Sequence, residues 1–165
     1  MNLIVYGSLL NKNELKKHNI SLDNIEYVKV YGFRRVFNQL PSWRKTEGNK
    51  KAVLNIEYNR DFWFNAILIK NLTKEYFKEL DIREKGYNRV DIKSGNVVTY
   101  KGDIIKNAFV YVGKEGKQDN NILPNPSYYQ ICYNGAKEHF KEFFQDYLNT
   151  TYQNSQSGVV KIKEL

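Results

Sequence analysis

The sequence predicts an α+β fold built on a curved sheet or barrel, and three observations support this prediction. β-Branched and aromatic residues alternate with turn residues through the first third of the 165-residue chain, a pattern typical of strands. After Asn71 the apolar spacing becomes helical, and a second helical stripe runs from Tyr128 to Tyr147. No repeat, linker or low-complexity segment interrupts the pattern, so residues 1–165 are predicted to form a single domain.

The predicted strands begin with an apolar run at residues 3–5 that ends in a Gly-Ser corner. Gly32 is a predicted bulge or bend in the next strand, and the polar turn 59–61 is predicted to separate two strands. The strand that follows turn 94–96 is predicted to pair back on the strand before it. The later strands are predicted at residues 26–37, 52–58, 63–69, 87–92, 97–100, 107–112 and 159–162.

Two helical regions carry cap signals. Thr73 is a predicted N-cap for a helix that continues to Leu80. Ser127 is predicted to cap the second helical stripe, and an interruption of that stripe near His139 stays open because no strong breaker stands there. A brief helical turn is predicted at residues 13–19, and loops are predicted at residues 41–49, 113–125 and 150–157.

The composition excludes several classes of protein. An apolar fraction of 41% and an aromatic fraction of 15% exclude a disordered chain. No window approaches about 18 consecutive apolar residues and no signal-like leader is seen, so the predicted location is the cytoplasm, with no membrane contact. One cysteine, Cys132, and two histidines exclude an internal disulfide and a Cys- or His-rich metal site, so no metal or cofactor is predicted.

The net charge of +8 raises the question of an anionic partner. Residues 11–51 hold ten Lys and Arg against four acidic residues. These charges are scattered and show no groove-like spacing with stacking aromatics, so a solvated basic surface is favoured over a nucleic-acid site. A non-catalytic basic barrel that binds nucleic acid or an anionic metabolite is the alternative hypothesis. The sequence gives no indication of the oligomeric state.

The corner after the first strand, Tyr6 to Leu9, allows two interpretations. Gly7 and Ser8 supply the backbone freedom and local hydrogen bonding of an ordinary turn. Alternatively, consecutive backbone N–H groups form a concavity that holds a carboxylate, a phosphate or a developing oxyanion. Spacing alone favours the turn, because strand-Gly-Ser corners are common.

The segment 80–90 combines a helix end, five charged side chains, a glycine and the start of a strand. On local grounds it is interpreted as a helix C-terminal turn with solvated charges at 83–85 and a cap at Gly86. However, the carboxylates of Asp81 and Glu84 lie where the helix macrodipole disfavours them. A locally costly placement is an indication of function.

Protein nucleophiles are poorly supported by the spacing. Cys132 and His139 stand about 10 Å apart along a continuous helix, too far for a direct hydrogen bond. Cys132 is therefore interpreted as a small buried hydrophobic residue. Ser8 needs an adjacent base to act as a nucleophile, and His18 has no recognisable triad context.

Three segments carry a family resemblance: Tyr6-Gly7-Ser8-Leu9, residues 80–87 (LDIREKGY) and residues 124–138 (PNPSYYQICYNGAKE). Their order and spacing resemble the γ-glutamylcyclotransferase superfamily, including its ChaC-like branch, across nearly the whole chain. The resemblance implies a compact mixed β-barrel with flanking helices. At one end, a cavity would hold the γ-glutamyl group of a small-molecule substrate.

The resemblance also implies residue roles. Glu84 is implied to be the catalytic acid/base. Tyr111 resembles a pocket tyrosine of the family, but the register of its strand leaves open whether Tyr111 or Phe109 lines the pocket. ChaC-like proteins generally have two glycines after the Glu-Lys pair, whereas this chain has Gly86 alone, which weakens the inference of glutathione specificity. The implied substrate-binding residues are Tyr6, Gly7, Ser8, Leu9 and Tyr111.

The implied reaction is intramolecular: the substrate α-amine attacks its own γ-carbonyl and releases 5-oxoproline. No protein nucleophile or metal is required, because the substrate supplies proximity, but a base must remove a proton. Glu84 can serve as that base and then protonate the leaving nitrogen, and burial in an aromatic pocket would raise its pKa. The backbone amides of residues 7–9 are the candidate oxyanion donors. Arg34 and Arg35 could attract a substrate carboxylate, but both are interpreted as solvated strand-end charges.

Overall fold

The computed structural model describes residues 1–42 and 48–165, which form nine strands and four α-helices. The helices are α1 (Lys12–Lys17), α2 (Lys74–Arg83), α3 (Pro126–Lys137) and α4 (Lys141–Asn149). The strands are β1 (Leu3–Val5), β2 (Ile25–Gln39), β3 (Lys50–Ile69), β4 (Tyr87–Ile92), β5 (Val97–Thr99), β6 (Ala108–Gly113), β7 (Leu123–Pro124), β8 (Thr151–Ser155) and β9 (Gly158–Lys161).

The strands form one mixed sheet in the order β4-β6-β1-β3-β2-β8-β9, with β5 also paired to β2 and β7 to β3. The predicted α+β architecture with flanking helices is confirmed. The sheet is open, however, and not the closed barrel that the resemblance implied, since β4 and β9 lie at opposite ends of the strand order. No described helix is long and apolar enough to cross a bilayer.

The long hairpin of β2 and β3 is the centre of the sheet. The prediction of two strands separated by a turn at 59–61 is wrong, because β3 is continuous. The register runs from Tyr31 opposite Trp63 directly to Phe33 opposite Tyr58, so four residues of β3 face one residue of β2. The extra residues form a bulge, and Gly32 takes a φ of 94° there, as its predicted role as a bulge requires.

Three further predictions need correction. β5 pairs with β2 and not with β4, because a turn signal does not determine which strand edge accepts the returning chain. The predicted polar loop 150–157 contains β8, whose buried Asn154 donates to the carbonyl of Ile122. The cap of α3 is Asn125, whose Oδ1 accepts the N–H of Tyr128, while the Ser127 hydroxyl donates to the same oxygen.

Other local predictions are confirmed. The Thr73 hydroxyl accepts the N–H of Tyr76 at the start of α2. The sequence leaves an interruption of the second helical stripe open, and the structure shows one between α3 and α4, next to His139. The helical turn at 13–19 corresponds to α1, whose side-chain cap is Asn11. The predicted loop 41–49 lies partly outside the described residues, at 43–47.

Helix α3 holds the segment that follows β1. A β-carbon on Gly135 would lie 2.5 Å from the backbone nitrogen of Asn11 and 2.8 Å from the carbonyl carbon of Leu10. The side chain of Asn11 donates to the carbonyl of Ile131, and the ring of His139 contacts the carbonyl oxygen of Leu10 at 2.7 Å. The corner after β1 is therefore packed backbone to backbone against α3.

We expect Gly135→Ala to lower the free energy of unfolding by about 1–3 kcal/mol, although alanine is the better helix former, because backbone atoms cannot move aside. Chemical denaturation measures this loss. Gly116→Ala is the matched control, since nothing lies within 4 Å of its added β-carbon. Equal stability of the two variants would contradict the close packing of α3 on the corner.

Candidate active site

A cavity of about 280 Å³ lies where the end of β1, the end of α2 and strand β6 meet. Phe109, the alternative to Tyr111 on strand β6, does not line this cavity. Its ring instead contacts the ring of Phe77 on α2. The candidate site residues from the sequence all line it: Tyr6, Gly7, Ser8, Leu9, Glu84 and Tyr111.

The corner after β1 forms a single 3₁₀ turn at Ser8–Leu10. The carbonyls of Gly7 and Ser8 accept the N–H groups of Leu10 and Asn11, each at 3.0 Å. The N–H groups of residues 7–9 donate no hydrogen bond to another residue in the described part of the chain. Three consecutive donors at the start of a turn, on the wall of a cavity, suit the binding of an anionic oxygen.

Gly7 is required by a close approach and not by its φ angle of −120°. A β-carbon at this position would lie 2.5 Å from the hydroxyl oxygen of Tyr128 on α3. That hydroxyl also accepts the backbone N–H of Leu54 from β3, at 3.4 Å. The aromatic side chain thus bridges the corner and the sheet.

Glu84 caps the C-terminus of α2, and its N–H donates to the carbonyl of Leu80 at 2.7 Å. The side chain lines the cavity with Tyr87, whose hydroxyl donates to the carbonyl of Leu54. Burial raises the pKa of Glu84 above its usual value of 4.5, and the neighbouring Arg83 opposes this effect in part. A carboxyl with a raised pKa is suited to both accepting and donating a proton near neutral pH.

Hydrogen bonds hold the two candidate tyrosines, Tyr6 and Tyr111, in place. Tyr6 donates from its hydroxyl to the carbonyl of Tyr111 at 2.6 Å. Tyr111 in turn donates to Asp81 at 2.7 Å, and Asp81 lies 3.4 Å from Arg89. Burial raises the pKa of both phenols, so they stay protonated at neutral pH. These contacts account for Asp81, which holds a pocket ring in place.

Arg35 is fully buried, which contradicts its interpretation as a solvated charge. Its guanidinium donates to the carbonyls of Tyr6 and Asn65 at 3.3 and 2.6 Å and to the side-chain oxygen of Asn65 at 2.7 Å. It also donates to the hydroxyls of Thr150 and Thr151 at the end of α4. Burial lowers the pKa of Arg35 to about 10, which leaves it charged at neutral pH.

Arg34 differs from its neighbour. Its guanidinium lies 3.0 Å from Glu57 and is half-buried, so it too is paired and not simply solvated. Within the described residues no carboxylate forms an ion pair with Arg35. The two arginines of the strand therefore have opposite environments, and neither lines the cavity.

The histidines considered as bases for the candidate nucleophiles make other contacts. Cys132 is buried in α3, and His139 contacts Leu10 and the hydroxyl of Tyr27. Ser8 and His18 both line the cavity, but the His18 ring contacts Arg83. In the described ranges no group of three His, Cys, Asp or Glu side chains is arranged to hold a metal ion.

Sequence reasoning does not assign several residues of the cavity to the site. Leu54 is an ordinary core residue of its strand, and Tyr87 and Tyr128 lie in the segments of the family resemblance without being singled out there. Arg83 lies in the candidate segment 80–90, and His18 is considered only as a base for Ser8; their shared position at helix ends is seen in the structure.

The chain has the γ-glutamyl cyclotransferase fold. It is similar to a solved γ-glutamyl cyclotransferase, with a TM-score of 0.66 and 20% identity over 99% of this chain and 93% of the other. A yeast γ-glutamyl cyclotransferase specific to glutathione gives a TM-score of 0.62 and 15% identity, with 91% and 94% covered. An uncharacterized human protein gives a TM-score of 0.64 and 20% identity over 99% of this chain and 93% of the other. Neither a protein-family model nor a curated protein sequence matches the chain.

We expect Glu84→Gln to be more stable than the unmodified protein at neutral pH, because a carboxylate with a raised pKa is destabilised by burial when ionised. Below the unfolded-state pKa both side chains are neutral, so the gain should vanish in acid and grow as pH rises through the folded-state pKa. Thermal unfolding between acidic and neutral pH measures it. A variant that is less stable at neutral pH would contradict the burial of Glu84.

We expect Arg35→Met to lower the free energy of unfolding by at least about 3 kcal/mol, because several buried acceptors lose their donor. Arg34→Met is the matched control and should cost about 1 kcal/mol or less, as expected for a partly exposed ion pair. Urea unfolding of the two variants makes the comparison. Similar losses in both would show that the Arg35 network contributes little.

Proposed function

We propose that this protein is a γ-glutamylcyclotransferase that releases 5-oxoproline from a γ-glutamyl amine, amino acid or peptide. One observation carries the proposal: Glu84 and residues 7–9, whose N–H groups donate no hydrogen bond to another described residue, line the same small cavity. The volume of about 280 Å³ suits a small molecule. The γ-glutamyl cyclotransferase fold, kept over nearly the whole chain, supports the same activity.

The reaction forms a bond between the substrate α-nitrogen and its γ-carbon and breaks the bond from the γ-carbon to the leaving nitrogen. The attacking ammonium loses two protons overall, and the leaving nitrogen gains two and departs as an ammonium. Both reacting groups belong to one molecule, so the cavity needs only to hold the substrate folded on itself. Such a reaction needs no activated serine or cysteine.

Glu84 is the proposed proton carrier. Its ionised form removes a proton from the attacking nitrogen, and its protonated form then delivers one to the leaving nitrogen. The raised pKa makes the first step easier, since a carboxylate whose pKa is raised by burial is a stronger base. The rings of Tyr6, Tyr87 and Tyr111 around the cavity reduce the access of water to this carboxyl.

The N–H groups of residues 7–9 are the proposed oxyanion donors. The γ-carbonyl oxygen gains negative charge when the ring closes, and preorganised donors stabilise this charge without reorganising. Arg35 supports the arrangement from behind, because it holds the carbonyl of Tyr6, and the N–H of Gly7 belongs to the same planar peptide group. The hydroxyl of Ser8 is not required as a nucleophile.

We expect Glu84→Gln to lower kcat for 5-oxoproline release by about 10²- to 10⁴-fold, since it removes general acid–base catalysis, while the fold is kept. Incubation with a panel of γ-glutamyl compounds and assay of 5-oxoproline provide the measurement. Glu79→Gln is the matched control, because Glu79 is an exposed residue of the same helix that does not line the cavity. Full activity in Glu84→Gln, or no product from any compound with the unmodified protein, would overturn the proposal.

A further inference from the structure

Two side chains beside Glu84 have no role in the proposed proton transfers. His18 ends α1 and Arg83 ends α2, and both line the cavity. The Nη2 atom of Arg83 lies 3.0 Å from Nδ1 and 2.8 Å from Nε2 of His18. The ends of two helices thus bring an imidazole and a guanidinium together on one wall.

His18 supports Arg83 as a neutral ring. Burial lowers the pKa of His18, and the positive charge of Arg83 lowers it further, so the imidazole is uncharged at neutral pH and can accept a hydrogen bond from the guanidinium. The backbone of His18 is itself held in place, since its N–H donates into the last turn of α1 and its carbonyl accepts the hydroxyl of Tyr76.

Arg83 supplies the positive charge of this wall. Among the described residues that line the cavity, Arg83 is the one permanent cation, and the acidic residues are Glu14 and Glu84. Glu14 is paired with Lys17 at 3.0 Å, which offsets its charge. Arginine presents its donors in a planar fork that matches a carboxylate.

The position of Arg83 limits where such a carboxylate can be on the substrate. The proposed mechanism requires the leaving nitrogen to lie beside Glu84, the next residue in the chain. In an α-amino acid the carboxylate carbon is two bonds from the nitrogen, so its oxygens lie within about 4 Å of it. An amine without this group, or a peptide whose first carboxyl is in an amide bond, offers no anion at that distance.

We propose that His18 and Arg83 form a carboxylate subsite and that the substrates are γ-glutamyl α-amino acids with a free α-carboxylate on the leaving group. This inference rests on the proposed function for the location of the leaving nitrogen. Arg83 binds the carboxylate, and His18 is a positioning residue that orients the guanidinium. The subsite therefore selects against γ-glutamyl amines.

The test compares γ-glutamyl-alanine with γ-glutamyl-isopropylamide, in which a methyl group replaces the carboxylate. Titration calorimetry of both compounds with Glu84→Gln protein gives a binding ratio without turnover. The 5-oxoproline assay with the unmodified protein gives the ratio of kcat/KM. We expect both ratios to favour γ-glutamyl-alanine by about tenfold to a hundredfold, the usual effect of hydrogen bonds to a charged group.

Arg83→Met should bring both ratios to within about threefold of one, whereas Lys85→Met, a change of the exposed cation two positions on, should leave them unchanged. A general disturbance next to Glu84 would lower the values for both compounds and preserve the ratio. His18→Ala should raise KM for γ-glutamyl-alanine and leave its kcat, and the KM of the isopropylamide, unchanged.

A ratio near one in the unmodified protein, or one that survives Arg83→Met, would overturn the carboxylate subsite. Selective binding of γ-glutamyl-alanine without any 5-oxoproline would uphold the subsite and overturn the proposed activity. Release of 5-oxoproline from both compounds at equal rates would uphold the proposed activity and overturn the carboxylate subsite.

Discussion

The arrangement of the cavity depends on one buried cation, Arg35. Its guanidinium connects the carbonyl of Tyr6, the strand residue Asn65 and the hydroxyls of Thr150 and Thr151. Removing a cation from water costs several kcal/mol, and hydrogen bonds and favourable electrostatic interactions within the protein must offset this cost. The threonine hydroxyls donate to carbonyls in the last turn of α4, where the helix dipole is negative.

This network determines the orientation of the corner after β1. Because a peptide group is planar, an arginine that holds the carbonyl of Tyr6 also sets the direction of the Gly7 N–H. Tyr128 and Gly135 hold the corner from the side of α3. Two parts of the core, the Arg35 network and helix α3, therefore fix this turn, and rigid donors are what the proposed oxyanion site needs.

Local signals in the sequence were sufficient for elements whose causes are local. The bulge at Gly32 and the cap at Thr73 each depend on a few neighbouring residues. The pairing of β5 with β2, the continuity of β3 and the burial of Arg35 depend on distant segments, which no local pattern reports. An arginine in a strand is exposed in most settings, so its burial could not be predicted without its partners.

The candidate site shows the same division. Glu84 and the corner of residues 6–9 stood out because their motifs resembled a family, whereas their convergence on one cavity is a property of the folded sheet. His18 and Arg83 meet only because α1 and α2 end at the same wall. At 15–20% identity to the solved γ-glutamyl cyclotransferases the fold is kept.

The most direct test of the account is a crystal structure of the Glu84→Gln protein with γ-glutamyl-alanine bound. We predict that the γ-carbonyl oxygen accepts a hydrogen bond of about 3 Å from an N–H of residues 7–9. The leaving nitrogen should lie beside the side chain of residue 84. A γ-glutamyl group bound outside the cavity, or with its carbonyl turned away from the corner, would contradict the account.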